Sequence, residues 1–481
     1  MQSASMNKKQ LAQAVAALVL GLASTQTFGT GFQLNEQSAS SMGNAFAAGA
    51  AFTDDVSAMW WNPAALSQFS KPQVAAGLNI IVPSIKFSNN ASQPAGCYPP
   101  ACSPGVLQPL GNNGGDAGGY NYTPNLSMVV PINQQWAFGL GINVPFGLVT
   151  EYDDGWIGRY QGLKSKIETL NVNPALSWKI TPQFAVGVGV NYQQVKATLT
   201  QNVNYSGALL QAAAQAGVAP GSPTFNAIAG LTPGFDSKAT ITADDWAWGW
   251  NIGLAWDATP QLRLGASYRS EIKYSASGNV SFANPTVTVP PGTPPQLAGT
   301  IAALSAGVNS QALFGRGVSA DITLPAIANL SFVYKVNQQW EVMGDAQYTG
   351  WSSIPQLAFT TTSPPSLPAV PLNWDDSWKF AVGASYKVSD QWKARFGAAY
   401  DQTPVTNAPT VRLPDSDRWW LAVGGEYKWT PNLKFDAGFV YIFADSPSFN
   451  QNQGSTPSNA LVNGSYDASV WILSMQATYT F

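Results

Sequence analysis

The sequence predicts an all-β protein, a 14-stranded antiparallel β-barrel that crosses an outer membrane. Three observations lead to this prediction: a short turn that recurs along the chain, alternation of apolar and polar residues, and an export signal. The chain has 481 residues, a suitable length for one large barrel. Only 10% of them are charged, against about a quarter in soluble domains. This composition is typical of apolar residues interleaved with polar ones.

The first observation is a polar turn that occurs six times, each time with an aromatic residue in or beside it. Asn, Asp, Pro and Gln adopt turn dihedrals easily, so such segments are suited to tight hairpins. Aromatic rings collect where hydrocarbon meets water. The six turns are Pro131–Trp136, Lys179–Phe184, Trp256–Leu262, Lys335–Trp340, Lys387–Trp392 and Lys428–Leu433.

The second observation is alternation with a period of two residues, which is clearest at the C-terminus. Trp471, Leu473 and Met475 share one face, whereas Ser474 and Gln476 lie on the other. This pattern indicates a strand whose two faces meet different solvents. Small soluble barrels fill their interiors with apolar side chains, so a polar inner face favours a membrane barrel.

Six hairpins account for twelve strands, and one further strand at each end gives fourteen. We expect the first strand at Gln73–Phe87, the eighth at Asp321–Val336, the ninth at Gln339–Pro355 and the last at Val470–Phe481. An even number of strands puts both ends of the barrel on the turn side. The barrel proper is therefore predicted over residues 73–481.

The third observation is an N-terminal export signal, predicted over residues 1–29. Lys8 and Lys9 precede an apolar stretch from Leu11 to Leu22, as in a cleavable signal peptide. No later segment has the roughly 18 apolar residues that a spanning helix needs.

Several functional classes are disfavoured by composition. The chain has no histidine, which removes Ser-His and Cys-His catalysis and His-ligated zinc. We therefore expect no enzyme, no cofactor and no metal site. The net charge of −3 argues against a nucleic-acid partner. Cys97 and Cys102 are predicted to form a small disulfide loop, the alternative being a free-thiol or metal pair.

Long insertions are expected on the side opposite the turns, at about residues 88–119, 205–236 and 283–320. Two of them contain helical candidates, Gly207–Ala216 and Gln296–Ala306. Apolar residues on loop helices suggest a surface that captures a hydrophobic ligand. In the alternative interpretation, the two helices simply pack on each other. The residues concerned are Leu209, Leu210, Leu297, Ile301 and Leu304.

Residues 30–72 precede the first strand and do not have the pattern of a strand. They are rich in small residues and include the apolar side chains Phe46, Phe52, Trp60 and Trp61. A barrel of fourteen strands leaves a lumen that its own side chains do not fill. We interpret the segment as a hatch inside this lumen, and the alternative is a periplasmic linker.

Five motifs carry a resemblance to a known family across essentially the whole mature chain. They are Thr30–Glu36, the Asn62-Pro63-Ala64 turn, Phe146–Tyr152, Tyr268–Lys273 and Leu413–Trp419. This set resembles the FadL family of outer-membrane transporters of hydrophobic compounds. The resemblance implies a 14-stranded barrel with an N-terminal hatch that takes up long-chain fatty acids or, in the TodX-like branch, aromatic hydrocarbons. It also implies that Asn62, Pro63 and Ala64 belong to the hatch, and that Phe32 touches the substrate site. Leu34 is a further candidate for the substrate pocket.

The third strand is the predicted exit. A hydrophobic solute gains nothing by entering water, so lateral release into the bilayer is expected, and this requires a gap in the wall. The third strand contains Gly139, Gly141, Pro145 and Gly147, and Pro and Gly interrupt or bend strands. In the FadL family this strand is kinked, in agreement.

The substrate's head group is less clear from the sequence. Two positions that are basic in fatty-acid members align with Gln201 and Val370, which favours a neutral substrate such as a hydrocarbon, an ester or an alcohol. Cations for a carboxylate remain available elsewhere, at Arg159, Lys196, Arg263, Arg269, Lys273 and Arg395.

The expected partners follow from this assignment: a hydrophobic small molecule, and the lipids and lipopolysaccharide of a Gram-negative outer membrane. The C-terminal Phe481 is expected to be recognised by the barrel-assembly machinery, and the protein is expected to be a monomer. The competing function is a general diffusion porin for small polar solutes. The apolar Trp60-Trp61 segment argues against a porin, because a porin needs no apolar plug.

Overall fold

Fourteen antiparallel strands form a closed barrel in the computed structural model of the protein. The structure describes residues 31–97, 106–231, 234–367, 369–405, 410–446, 448–450 and 460–481. The predicted signal peptide and the predicted Cys97–Cys102 disulfide lie outside the described residues. Within these ranges no helix is long and apolar enough to cross a bilayer.

Eleven of the fourteen strands are continuous, and three are interrupted once. The interrupted strands are β3 (Trp136–Asn143 and Gly147–Glu151), β7 (Leu262–Arg269 and Ile272–Ala283) and β8 (Arg316–Leu324 and Ile327–Lys335). The continuous strands are β1 (Gln73–Asn89), β2 (Asn121–Pro131), β4 (Lys164–Lys179), β5 (Phe184–Asn204), β6 (Asp236–Asp257), β9 (Trp340–Thr349), β10 (Ser377–Lys387), β11 (Trp392–Asp401), β12 (Arg418–Lys428), β13 (Leu433–Ala444) and β14 (Asn463–Thr480).

The first and last strands close the barrel. β1 and β14 pair antiparallel from Gln73 opposite Thr480 to Asn89 opposite Gly464. All six predicted turns connect neighbouring strands, which confirms the strand count. The predicted start of β14 at Val470 was too late, because pairing with β1 continues up to Asn463. The ninth strand is shorter than predicted and ends at Thr349.

The two faces of the wall differ as the alternation predicts. In β6, Trp248, Trp250 and Trp256 are exposed, whereas Ala247 and Asn251 are buried. Trp178, Trp256, Trp340 and Trp392 lie beside the short turns, and Trp378 and Trp419 lie near the other ends of their strands. Two belts of aromatic residues on the outer face are typical of a barrel in a membrane.

Short elements lie outside the spanning strands. Helices are α1 (Ala39–Met42), α2 (Tyr205–Gln215), α3 (Pro223–Leu231) and α4 (Pro295–Gln311), and 3-10 helices cover Gly49–Ala51, Val56–Trp60, Pro63–Gln68 and Trp351–Ser353. Short strands pair Gly96–Cys97 with Val106–Leu107 and Gln356–Leu357 with Val370–Pro371, while Thr360–Thr361 joins β8 and Ser448–Asn450 joins β14. Both predicted loop helices are confirmed as α2 and α4, whereas α3 was not predicted.

The N-terminal segment (residues 31–72) is buried almost throughout, up to Leu66. Polar groups of the segment form hydrogen bonds with inward-facing atoms of strands on several sides of the barrel. Asn79 of β1 donates to the carbonyl of Glu36 at 2.7 Å, and the backbone N–H of Ala50 donates to Ser331 of β8 at 2.8 Å. The segment therefore lies against the inner wall on several sides.

Glycines let the segment approach the wall closely. A Cβ at Gly253 of β6 would overlap Oδ1 of Asn62, and a Cβ at Gly187 of β5 would overlap the backbone at Pro63 and Ala64. Asn62 uses this space to donate to the carbonyl of Leu254 at 2.8 Å. Its Oδ1 accepts the backbone N–H of Ala64 at 2.9 Å, which starts the next 3-10 turn.

A valine at Gly253 should displace this turn. Because the new side chain overlaps Asn62 and Pro63, we expect Gly253→Val to loosen the segment and to raise the single-channel conductance of the purified barrel in a planar bilayer. Gly299→Val is the control, since no atom lies within 4 Å of that added Cβ. An unchanged conductance of Gly253→Val would show that this contact does not hold the segment.

Candidate functional site

The wall of the barrel is broken at β3. The first half of β3 pairs with β2 only as far as Ile142 opposite Leu126. The second half pairs with β4, from Gly147 opposite Glu168 to Glu151 opposite Lys164. Among the described residues, no strand pairing joins this second half to β2. We call residues Val144–Phe146 the β3 break.

Proline accounts for the position of the break. Pro145 has no N–H to donate to a neighbouring strand. Gly139 and Gly141, which we had placed at the exit, are not part of it: both lie in the half of β3 that pairs on both sides. The missing side chain of Gly139 instead leaves room for Leu66 of the N-terminal segment, and Met59 of the segment lies beside Gly141.

The N-terminal segment satisfies the backbone that the break leaves unpaired. Leu34 donates its N–H to the carbonyl of Pro145 at 2.8 Å, and Gly147 donates to the carbonyl of Phe32 at 2.9 Å. Gln37 adds a side-chain bond to the carbonyl of Val144 at 2.7 Å. The segment and the break are therefore held together by hydrogen bonds, so that a shift of one alters the other.

A cavity of about 910 Å³ lies at the break. Leu78, Leu126, Ile142 and Val144 give it apolar walls, and Asn125 contributes an amide. Lys166, Glu168 and Lys196 also line the cavity. A space of this size and lining accommodates an extended hydrocarbon chain.

A second, smaller cavity of about 50 Å³ lies inside the barrel beside the N-terminal Phe32. The ring of Phe32 packs edge-on against Trp351, with centroids 4.9 Å apart, and lies 5.9 Å from Phe146. Val370 also lines this cavity, whereas Leu34 is buried next to the break. The remaining walls are apolar except for Ser165, Thr410 and Arg412.

Arg412 is the one cation on the wall of this cavity. It is 8% exposed, and it donates to Gln201 at 2.7 Å and to Ser165 at 3.2 Å. No carboxylate of the described residues forms an ion pair with it. Burial lowers its pKa to about 10, so the guanidinium remains charged at neutral pH. Gln201, predicted to be a pocket residue, instead orients this arginine.

Arg412 was missing from the cations that the sequence suggested. Arg412 directly precedes the Leu413–Trp419 motif. This position beside the motif was the only feature of the sequence that could have identified it as a site residue. Four of the suggested cations are neutralised by carboxylates instead. Arg159 pairs with Asp236 at 2.8 Å, Arg263 with Asp257 at 2.6 Å, Lys273 with Glu271 at 3.0 Å, and Arg395 with three acidic residues. Lys196 lies at the break cavity, and Arg269 is buried under Trp60.

A cluster of seven charged residues fastens the N-terminal segment near the short turns. Asp54 pairs with Lys393 at 2.9 Å and with Arg395 at 3.0 Å, and Asp55 pairs with Lys434 at 3.3 Å. The members of this turn-side charge cluster are Asp54, Asp55, Lys393, Arg395, Glu426, Lys434 and Asp436.

These ion pairs favour the charged state of the segment's carboxylates. Burial acts to raise the pKa of Asp54, but Lys393 and Arg395 hold it well below its usual value. The pKa of Asp55 is likewise lowered, against the effect of burial, by Lys434. Both carboxylates are therefore ionised at neutral pH, and the cluster links the segment to β11, β12 and β13.

The predicted capture residues are mostly covered. Leu209, Leu210 and Ile301 are buried where α2 packs against α4, and Leu297 and Leu304 are partly buried on the same cluster. The hydroxyl of Tyr205 donates to Asn309 at 3.1 Å and joins the two helices. The structure thus has the helix packing that was our alternative, and Leu209, Leu210 and Ile301 do not line an open groove.

No group of three or more metal-ligating side chains comes together within the described ranges. The two cavities combine largely apolar walls with the amide of Asn125, the guanidinium of Arg412 and the charged side chains of Lys166, Glu168 and Lys196.

A family model described as "Outer membrane protein transport protein (OMPP1/FadL/TodX)" matches residues 20–481. The Long-chain fatty acid transport protein of Escherichia coli (strain K12) is 28% identical over 398 residues, which covers 81% of this chain and 82% of that protein. Outer membrane protein P1 of Haemophilus influenzae is 26% identical over 438 residues, 90% of each.

Solved structures agree in fold. A Pseudomonas aeruginosa FadL homologue superposes with a TM-score of 0.77 at 28% identity, covering 94% of this chain and 99% of that one. The P. putida toluene transporter TodX has a TM-score of 0.59 at 18% identity, with 89% and 94% covered, and shows the shared fold only. With its matching family model and its 14-stranded barrel, the chain belongs to the OMPP1/FadL/TodX family of outer-membrane transport proteins.

Proposed function

We propose that this outer-membrane protein takes up long-chain compounds with a carboxylate head group, such as fatty acids, and releases them sideways into the bilayer. Arg412 is the observation that carries the proposal. A buried charge without a partner is costly, and a guanidinium binds a carboxylate through charge-assisted hydrogen bonds. An apolar cavity with one unpaired guanidinium therefore fits an amphipathic acid better than a neutral hydrocarbon.

The sequence had favoured a neutral substrate because Gln201 and Val370 occupy positions that are basic in fatty-acid relatives. In the folded chain, Arg412 reaches the same cavity from the loop between β11 and β12, and Gln201 holds it there. Val370 supplies part of the apolar wall. The 28% identical relative in Escherichia coli is named for long-chain fatty acid transport, which supports an acid as the substrate.

Transport in this proposal depends on movement of the N-terminal segment, which acts as a hatch. The cavity beside Phe32, at about 50 Å³, is smaller than a long-chain acid, so a bound chain has to displace Phe32. The carbonyl of Phe32 accepts a hydrogen bond from the N–H of Gly147, and the N–H of Leu34 donates to the carbonyl of Pro145. Displacement of this segment therefore loosens the β3 break, through which the chain leaves toward the 910 Å³ cavity.

A general diffusion porin is not favoured. The buried segment contacts the inner wall on several sides, and the turn-side charge cluster holds it in place. A polar solute would also gain nothing from an exit that opens on hydrocarbon.

One prediction of the proposed function concerns the binding of the carboxylate by Arg412. Removing a charged hydrogen-bond donor costs about 1.5–3 kcal/mol, or roughly a tenfold to hundredfold loss of affinity. We therefore expect Arg412→Met to lower the initial rate of oleate uptake by cells at limiting concentration, and Arg412→Lys to lower it less. Methyl oleate uptake should be unaffected. Equal loss of both substrates would argue against a carboxylate-specific role.

The second prediction concerns the β3 break. The double variant Pro145→Val, Gly147→Val supplies an N–H at residue 145 and side chains with high strand propensity. We expect it to promote pairing across the break and to reduce uptake of both oleate and methyl oleate. Correct folding of the variant is the control, measured by heat-modifiable mobility on gels of outer-membrane fractions. Normal uptake by a variant whose break has closed in its crystal structure would exclude the lateral route.

The third prediction concerns the turn-side charge cluster. Removing one side of a buried ion pair typically costs about 3–5 kcal/mol, because the other charge stays unpaired. The double variant Asp54→Asn, Asp55→Asn should therefore release the hatch and raise ion conductance in planar bilayers. Asp390→Asn is the matched control, since Asp390 pairs with Lys387 on an exposed turn. If the double variant conducts no more ions than the wild-type protein, the cluster is not needed to hold the hatch.

A further inference from the structure

Arg269 is a second buried cation for which the structure shows no carboxylate. It ends the first half of β7 and is 7% exposed. One guanidinium nitrogen donates to the carbonyl of Trp60 at 2.7 Å, and the group stacks on the Trp60 ring, 3.8 Å from its centroid. The other nitrogen donates to Oδ1 of Asn191. A charge at membrane depth without a counter-ion is costly, which marks the position as functional.

A row of inward-facing asparagines leads from Arg269 to the β3 break. Asn251 lies opposite Arg269 in the register of β6 and β7. Asn191 donates to Asn251 at 3.2 Å, and Asn171 donates to Asn191 at 3.2 Å. Asn143, the last residue before the break, lies opposite Asn171. We call this set the amide row, and its members are Asn125, Asn143, Asn171, Asn173, Asn191 and Asn251.

Much of the hydrogen-bonding capacity of the amide row is unused. Neither amide atom of Asn143 has a partner among the described residues, and the same holds for Nδ2 of Asn125 and Nδ2 of Asn251. These side chains are 1%, 6% and 3% exposed, respectively. Buried polar groups are nearly always hydrogen-bonded, and an unpaired one is destabilising. Several unpaired amides in one row therefore indicate a ligand that satisfies them.

The row ends where the substrate is expected to leave. Asn125 directly precedes Leu126, the first residue of β2 that pairs with β3. It also lines the cavity of about 910 Å³ at the break. Its unpaired amide nitrogen is thus a hydrogen-bond donor on the wall of an otherwise largely apolar exit.

We propose that Arg269 and the amide row form a second binding site for the carboxylate of the transported compound, along the inner wall between the hatch and the β3 break. This inference rests on the proposed function. Trp60 of the hatch covers the guanidinium, so the carboxylate reaches Arg269 by replacing the carbonyl of Trp60. Binding there removes one contact that holds the hatch.

The site has two kinds of hydrogen-bond donor, a charged guanidinium at Arg269 and neutral amides toward the β3 break. A charged donor binds a carboxylate more tightly than a neutral amide does. From Arg269 the head group passes to Asn143 and Asn125, which satisfy its hydrogen bonds without trapping it. The hydrocarbon chain meanwhile occupies the apolar cavity at the break. The head group thus keeps its hydrogen bonds while the chain keeps its apolar contacts.

The test replaces the two amides of the row that lie nearest the β3 break, each of which has an unpaired nitrogen. Asn143→Leu and Asn125→Leu keep the size of the side chain, and at Asn143 no hydrogen bond is lost, so thermal stability should be unchanged or raised. We expect the initial rate of oleate uptake by cells to fall about tenfold, the equivalent of one lost hydrogen bond. Methyl oleate uptake should stay within a factor of about two, since an ester depends less on these donors.

Asn329→Leu is the matched control. Asn329 is an inward-facing amide of β8, on the side of β7 opposite to the amide row, and its Nδ2 lies 3.3 Å from Asp345. This variant should leave the ratio of oleate to methyl oleate uptake unchanged. Wild-type uptake of oleate by Asn143→Leu and Asn125→Leu, or an equal loss of both substrates, would overturn the second site. If the wild-type protein itself takes up no oleate, the proposed function fails instead.

Discussion

Backbone hydrogen bonding in hydrocarbon is the constraint on which the rest of this structure depends. A barrel wall in a membrane leaves no edge unpaired, because lipid offers no donor or acceptor. This chain breaks its wall at Pro145 and satisfies the freed backbone from inside, through Leu34 and Phe32. The break in the wall and the buried N-terminal segment are thus parts of one arrangement.

Charges of the barrel interior are compensated in one region and left without an ion pair in others. Near the short turns, Asp54 and Asp55 are matched by Lys393, Arg395 and Lys434, so that burial is compensated and the segment is held. Elsewhere in the interior, Arg412 and Arg269 form no ion pair among the described residues and donate to neutral groups. Because an uncompensated buried cation is costly, these two arginines carry our proposals for ligand contacts.

Most of the fold could be predicted because each local rule concerned residues close in sequence. Turn composition identified all six hairpins, and period-two alternation identified which face meets lipid. The predictions that were wrong concern residue patterns that two different structures can produce. Gly139 and Gly141 were interpreted as a weakness in the wall, but both lie in the paired half of β3, and Gly139 makes room for Leu66 of the N-terminal segment. Leu209 and Ile301 were interpreted as a capture surface, but they bury each other between two helices.

The sequence by itself determined the strand count, the closed barrel, the polarity of its two faces and the break near Pro145, since these depend on turn chemistry, strand period and the missing N–H of proline. Only the tertiary structure decided which cations are neutralised and which face a cavity. Arg412 and Gln201 are far apart in the chain, and so are Arg269 and Trp60. Ion pairing depends on distances of a few ångströms across the barrel, and no sequence spacing encodes those distances.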